Sequence, residues 1–159
     1  MFFDEEWNDN TDLVSYGHNI ESSWLIYEAA LVLGDRTLLR KVKNICLKIA
    51  EVSREGIMPD GSMIYEKFLR PQHTDTDRHW WVQAETVIGF LNAFTLSGKN
   101  EYLELSLNAW RFISDNLIDR KNGEWYWSVD NNLQPNLKED KAGFWKCPYH
   151  DSRMCMEII

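Results

Sequence analysis

Positive charge is in short supply. The 159 residues hold 17 Lys and Arg against 25 Asp and Glu, a net charge of −8. Nucleic acid and anionic membrane both call for a basic face, so neither is expected as the main partner. Cysteine is scarce and odd in number: Cys46, Cys147 and Cys155 lack the spacing of a small disulfide scaffold. They read as reduced thiols of a cytoplasmic protein. Long apolar runs are missing, and Met1-Phe2-Phe3-Asp4-Glu5-Glu6 has no basic n-region. Neither a signal peptide nor a membrane span is expected.

Apolar and aromatic residues are plentiful. Hydrophobic residues make up 44% and aromatics 13%, with eight Trp. That is ample for a core and excludes disorder. The length suits one domain, taken as residues 1–159.

The apolar spacing predicts helices over about 18–33, 36–54, 76–96 and 100–117, and a fifth from His150 still running at Ile159. Gly34, Gly56 and Gly98 stand where C-terminal stops belong. The second helix carries a stripe of Leu38, Leu39, Val42, Ile45, Cys46 and Ile49 opposite a charged face, the sign of one buried side. The fourth is similar. The first and third, with Trp24-Leu25-Ile26-Tyr27 and Val87-Ile88-Gly89-Phe90-Leu91, are apolar nearly all round and should be covered on most sides.

This alternation repeats. Glu21 and Glu85 lie 64 residues apart, as do Gly34 and Gly98, and Glu157 stands as a third copy of the acid. A Gly-bearing, strand-like stretch follows each outer helix, Gly56 to Lys67 and Gly123 to Asp130. The unit is inner helix, outer helix, short hairpin, and units of this type stack into a double-layered toroid. An ordinary helical bundle is the simpler alternative.

Three inner helices open with polar and aromatic residues on one end of that toroid. His18 follows Tyr16-Gly17, and Glu21 lies one turn on. A helix N-terminus disfavours imidazolium, which leaves a histidine there able to accept a proton. His150 opens the last helix, with Trp145 just upstream and Arg153 on the same face. A Trp face packs on the C–H face of a sugar ring while its indole N–H binds a hydroxyl. Trp81 and Glu85 share a face of the third helix, an acid below an aromatic. His79 reads as a surface histidine. Each element alone also fits a structural role: His18 and Glu21 as a helix cap, Trp145 as one packing residue among many. The convergence is the signal.

In Tyr16-Gly17-His18-Asn19-Ile20-Glu21, Trp80-Trp81-Val82-Gln83-Ala84-Glu85, Gly123-Glu124-Trp125 and Trp145-Lys146-Cys147-Pro148-Tyr149-His150, the chain resembles the cellobiose 2-epimerase branch of the N-acylglucosamine 2-epimerase family. Asn19 and Asp151 depart mildly from the family pattern. The resemblance implies an all-α (α/α)6 barrel, of which this chain is a single partial domain corresponding to the C-terminal half. It implies interconversion of glucose-type and mannose-type sugars at C2, on the reducing-end residue of a β-1,4-linked disaccharide. It further implies His18 and His150 as the general acid/base pair, with Glu21, Trp81, Glu85 and Trp145 lining the sugar site. The chemistry suits histidine, which gives and takes protons near neutrality. No cofactor is called for, since the reaction has no net redox change. A half barrel leaves inner helices uncovered, so self-association or completion by a missing N-terminal half is expected.

Three other functions compete with this one. A glycoside hydrolase would use Glu21 and Glu85 across the glycosidic bond. A sugar-binding module would keep the pocket without turnover. A zinc site from Cys147, His150, Cys155 and His79 matches no common ligand spacing.

Overall fold

A computed structural model describes residues 3–8 and 10–159. Met1 and Phe2, which open the segment read above for a signal peptide, lie outside the described residues. The chain runs β1 (Leu13–Ser15), α1 (Tyr16–Leu33), α2 (Arg36–Ser53), β2 (Glu66–Phe68), β3 (His73–Asp75), β4 (Arg78–His79), α3 (Trp80–Ser97), α4 (Asn100–Phe112), β5 (Ser128–Val129) and α5 (Tyr149–Ile158). A 3₁₀ turn over Arg54–Gly56 extends α2, and a π turn over Ile113–Leu117 extends α4. Among the described residues, no helix is long and apolar enough to cross a membrane.

The repeat is visible in the helix ends. Gly34 and Gly98 terminate α1 and α3 in the left-handed conformation, at φ 70° and 72°. An L side chain is strained there, so glycine stops both helices at equivalent points and turns the chain outward. α2 starts on Asp35, whose carboxylate accepts from the backbone N–H of Thr37 and Leu38.

α3 is the centre of the molecule. Every residue from Trp80 to Phe90 is buried, so the third helix is covered all round as expected. It packs on α1, α4 and α5 and touches α2. Approach to α1 is close: a Cβ on Gly89 would sit 2.5 Å from Ile20 Cγ1 and 2.8 Å from its carbonyl. The core gathers Tyr16, Ile20, Trp24, Phe90, Tyr102, Phe112, Ile113, Leu117 and Met154 around α3.

α1 departs from expectation. In its first half Tyr16, Gly17, Ile20, Ser23 and Trp24 are buried, but further along Ile26, Leu31, Val32 and Leu33 are exposed, Val32 to 88%. α2 and α3 cover one side, and among the described residues nothing packs on the other. Part of the predicted α2 stripe also faces outward: Val42, Cys46 and Ala50 are buried, whereas Leu38 and Ile45 are exposed.

The strands decide how the inner helices begin. β1, β2 and β3 form a three-stranded antiparallel sheet, with Ser15 opposite Glu66 and Glu66 opposite Asp75. β1 lies within a stretch that shows no strand signal, and pairing with β2 makes it a strand. β4 pairs with β5, Arg78 to Val129 and His79 to Ser128. That pairing holds residues 78–79 extended, so α3 begins at Trp80 rather than near Thr76. The buried Arg78 guanidinium ties both hairpin regions together through Ser62, Asp60, Thr76 and Asn131.

Candidate active site

The first turns of α1, α3 and α5 meet at one cavity of about 590 Å³. Its lining includes His18, Glu21, Trp81, Trp145 and His150, all singled out in the sequence, together with Tyr65, His79, Trp80, Trp127 and Tyr149.

Trp81 contacts both histidines. Its ring centroid is 4.8 Å from His18 and 5.5 Å from His150. Gly17 makes this possible, because a Cβ there would fall 2.5 Å from the Trp81 ring. Both imidazoles are held through the same atom. His150 Nδ1 is 2.7 Å from Glu85 Oε1, and His18 Nδ1 is 2.7 Å from Ser15 Oγ. A histidine held at Nδ1 has Nε2 left as its free nitrogen.

Glu85 does not line the cavity. It is 0% exposed and sits beneath it. Its Oε2 accepts from Trp24 Nε1 at 2.8 Å, and its Oε1 accepts from Arg153 Nη2 at 3.0 Å as well as meeting His150. Glu85, expected among the residues lining the sugar site, is thus placed one layer below the lining, with its carboxylate against the His150 imidazole. Glu21 keeps a place on the lining, 3.2 Å from the same Arg153 nitrogen. Arg153 also lies over the rings of Trp24 and Tyr149 and donates to the Tyr149 hydroxyl. Burial works against its charge, but the hydrogen bond and charge of Glu85, with Glu21, raise the guanidinium above its ordinary value.

Glu157 does not join its two repeat mates. It is exposed, and Arg153 is the α5 residue that meets Glu21 and Glu85.

His79 is also corrected. It is not a surface residue but lines the cavity, stacked on Tyr65 at 4.0 Å and 17° and edge-on to Trp127. Burial pushes it down to about 4, opposed in part by the Asp75 carboxylate. It is therefore a neutral hydrogen-bonding group at working pH.

The approach to α5 is a strap pinned by two lysines. Lys146, 1% exposed, places Nζ 2.8 Å from Glu124 Oε1 and 2.8 Å from the Lys141 carbonyl, over the Trp80 ring. Lys141 reaches Asp119 at 2.6 Å and the Gly123 carbonyl at 2.9 Å. Trp145 sits on this strap, 78% exposed, at the cavity mouth. Burial and the neighbouring Glu124 charge raise Asp151 above the usual carboxylate range.

Among the described residues, the metal-ligating side chains that come together are Glu21, Glu85 and His150. Cys147 and Cys155 are not with them, and the Arg153 guanidinium already balances the two carboxylates. The four-residue zinc set does not assemble.

Sequence reasoning missed Ser15, Tyr65, Trp127 and Lys146. Tyr65 lies in a stretch legible as strand-like, but nothing in the sequence says which strand it meets. Lys146 lies inside a recognised motif, yet a lysine gives no signal of burial before its acid partner is known.

Residues 2–152 match the sequence signature of the N-acylglucosamine 2-epimerase family. The chain is 50% identical over 159 residues to the cellobiose 2-epimerase of Bacteroides fragilis, covering 100% of this chain and 41% of that protein. It is 41% identical over 160 residues to the cellobiose 2-epimerase of Ruminococcus albus, covering 100% and 41%. Among solved structures, a sugar epimerase from a ruminal bacterium superposes with a TM-score of 0.92 at 39% identity, covering 98% of this chain and 40% of that one. The cellobiose 2-epimerase of Bacillus thermoamylovorans superposes with a TM-score of 0.88 at 40% identity, covering 98% and 39%. The chain thus spans about 40% of the length of the relatives it matches, and its paired inner and outer helices are a segment of an (α/α)6 barrel. On this match of sequence, fold and cavity, the chain belongs to the N-acylglucosamine 2-epimerase family.

Proposed function

We propose that this chain carries the acid/base centre of a carbohydrate 2-epimerase acting on the reducing-end residue of cellobiose or a related β-1,4 disaccharide. The observation that carries the proposal is the pair of imidazoles at one cavity, each in contact with Trp81 and each held at Nδ1.

The chemistry follows from that arrangement. With the reducing-end sugar ring-opened, Nε2 of one histidine takes the proton from C2. The C–H electrons form the C1–C2 double bond, and the carbonyl π pair moves to the C1 oxygen as an enediolate. The other histidine, entering as imidazolium, gives its Nε2 proton to the opposite face of C2 as the C1 carbonyl reforms, and ends as neutral imidazole. Reducing end and product are at one oxidation level, so no electron acceptor takes part. Trp81 and Trp145 offer faces for the sugar rings, and Glu21 and neutral His79 offer hydroxyl partners. A reducing, cytoplasmic compartment goes with this proposal, as Cys46, Cys147 and Cys155 are free.

The measurement is deuterium incorporation at C2 of cellobiose in heavy water. The chain is expected to incorporate label, and His18→Asn and His150→Asn are each expected to slow it by about 10²- to 10⁴-fold. Binding of cellobiose with no incorporation would favour a sugar-binding module, a reading kept open by the chain's 41% coverage of its relatives. The hydrolase alternative has weaker support. Glu85 is fully buried and shares one Arg153 nitrogen with Glu21, so the two carboxylates cannot flank a glycosidic bond.

A further inference from the structure

Ser15 stands at the N-cap of α1, where a serine hydroxyl ordinarily accepts from a backbone N–H of the first turn. Here it makes no such bond. Its oxygen lies 2.7 Å from His18 Nδ1 instead. The β1–β2 register sets Ser15 directly opposite the half-buried Glu66, whose carboxyl the Ser15 hydroxyl draws toward its ionised form.

A hydroxyl has one proton to donate, and a carboxylate can only accept. An O–H turned to Glu66 leaves the Ser15 oxygen to accept from His18 Nδ1–H. We propose that Ser15 and Glu66 are positioning residues for His18, a relay that fixes its Nδ1-protonated tautomer and leaves Nε2 to exchange the substrate proton. Burial raises the Glu66 carboxyl, and the Ser15 hydroxyl and His18 pull it back toward the ionised form. Asp75 on β3 also faces Glu66, Glu21 lies one turn beyond His18 on α1, and Trp81 covers the ring from α3.

The two histidines are then held alike at Nδ1 but not identically. His150 meets the Glu85 carboxylate directly, whereas a hydroxyl stands between His18 and Glu66. The epimerase centre is asymmetric by construction, as suits a pair of groups working on opposite faces of one carbon. This inference deepens the function proposed above and rests on it for its catalytic meaning, but the tautomer can be read without any turnover.

The full chain, labelled with ¹⁵N-histidine, is examined by long-range ¹H–¹⁵N correlation at pH 7.5. His18→Asn identifies the His18 signals among those of the four histidines. The wild-type chain is expected to show His18 protonated at Nδ1 and bare at Nε2. Ser15→Ala and Glu66→Met, which removes the acceptor, are expected to lose that preference, and Ser15→Thr, which keeps the hydroxyl, to retain it. Glu66→Met is close to glutamate in size, so it decides the matter even if Ser15→Ala folds poorly. A wild-type His18 protonated at Nε2, or a tautomer unmoved by both variants, overturns the relay. In the exchange assay the same two variants are expected to lower kcat about 10- to 100-fold with little change in KM. A wild-type chain that exchanges nothing at C2 overturns the epimerase reading, and the spectra still decide the relay.

Discussion

At the scale of single residues, burial and hydrogen bonding rank the candidates more sharply than residue type does. Glu21 and Glu85 are equivalent in the repeat, yet one reaches the cavity and the other is sealed below it. His79 shows the same principle. It is unprotonated in the fold down to about pH 4, against 6.5 for a free side chain. Above pH 6.5 it is neutral in both states and costs nothing. As pH falls from 6.5 toward 4, the unfolded chain takes up a proton that the folded chain refuses, so stability declines. Below 4 the loss levels off. Between pH 7 and pH 5 the contribution is about 2 kcal/mol. Urea unfolding at the two pH values checks it: His79→Gln is expected to flatten the decline by that amount, and equal slopes for variant and wild type would refute the assignment.

At the scale of elements, the strap is the part whose shape depends on single side chains. Residues 130–148 contain no helix or strand of their own, so buried ion pairs hold them. Lys146 and Lys141 both anchor on the 119–124 turn, and between them they fix where Trp145 and His150 stand. Lys146→Met keeps the apolar stem and removes the charge, leaving Glu124 without its partner. Freed side chains must be ordered again on binding, at about 1 kcal/mol each. The expected outcome is a folded protein that binds cellobiose about tenfold more weakly and is cut faster by trypsin at Lys141. Calorimetric titration and limited proteolysis measure these. Unchanged affinity would show that the strap is held some other way.

For the molecule as a whole, the uncovered apolar surface is the outstanding feature. One side of α1 exposes Ile26, Leu31, Val32 and Leu33. A groove of about 350 Å³ between α3, α4 and α5 is lined by Val87, Leu91, Leu107, Trp110, Met154 and Ile158. Contiguous apolar surface of this kind favours association. The chain alone is expected to self-associate, and light scattering across a concentration series measures it. A stable monomer with a cooperative melt would count against that expectation.

Much of this was legible in the chain. The five helices, the repeat marked by Gly34 and Gly98, and the gathering of His18, His150, Trp81 and Trp145 at one end follow from local spacing and from motifs that each lie within a few residues. Helix periodicity, glycine stops and short motifs are local properties, and a sequence states local properties directly. What the sequence could not state was pairing between distant segments. The antiparallel register sets Ser15 against Glu66, β4–β5 pairing delays the start of α3, and packing of α5 over α3 buries Glu85 beneath His150. These outcomes depend on which surfaces meet after the chain has folded. Burial, partner and tautomer are properties of that meeting, so only the tertiary structure decided which of the recognised residues face the cavity and which hold them in place.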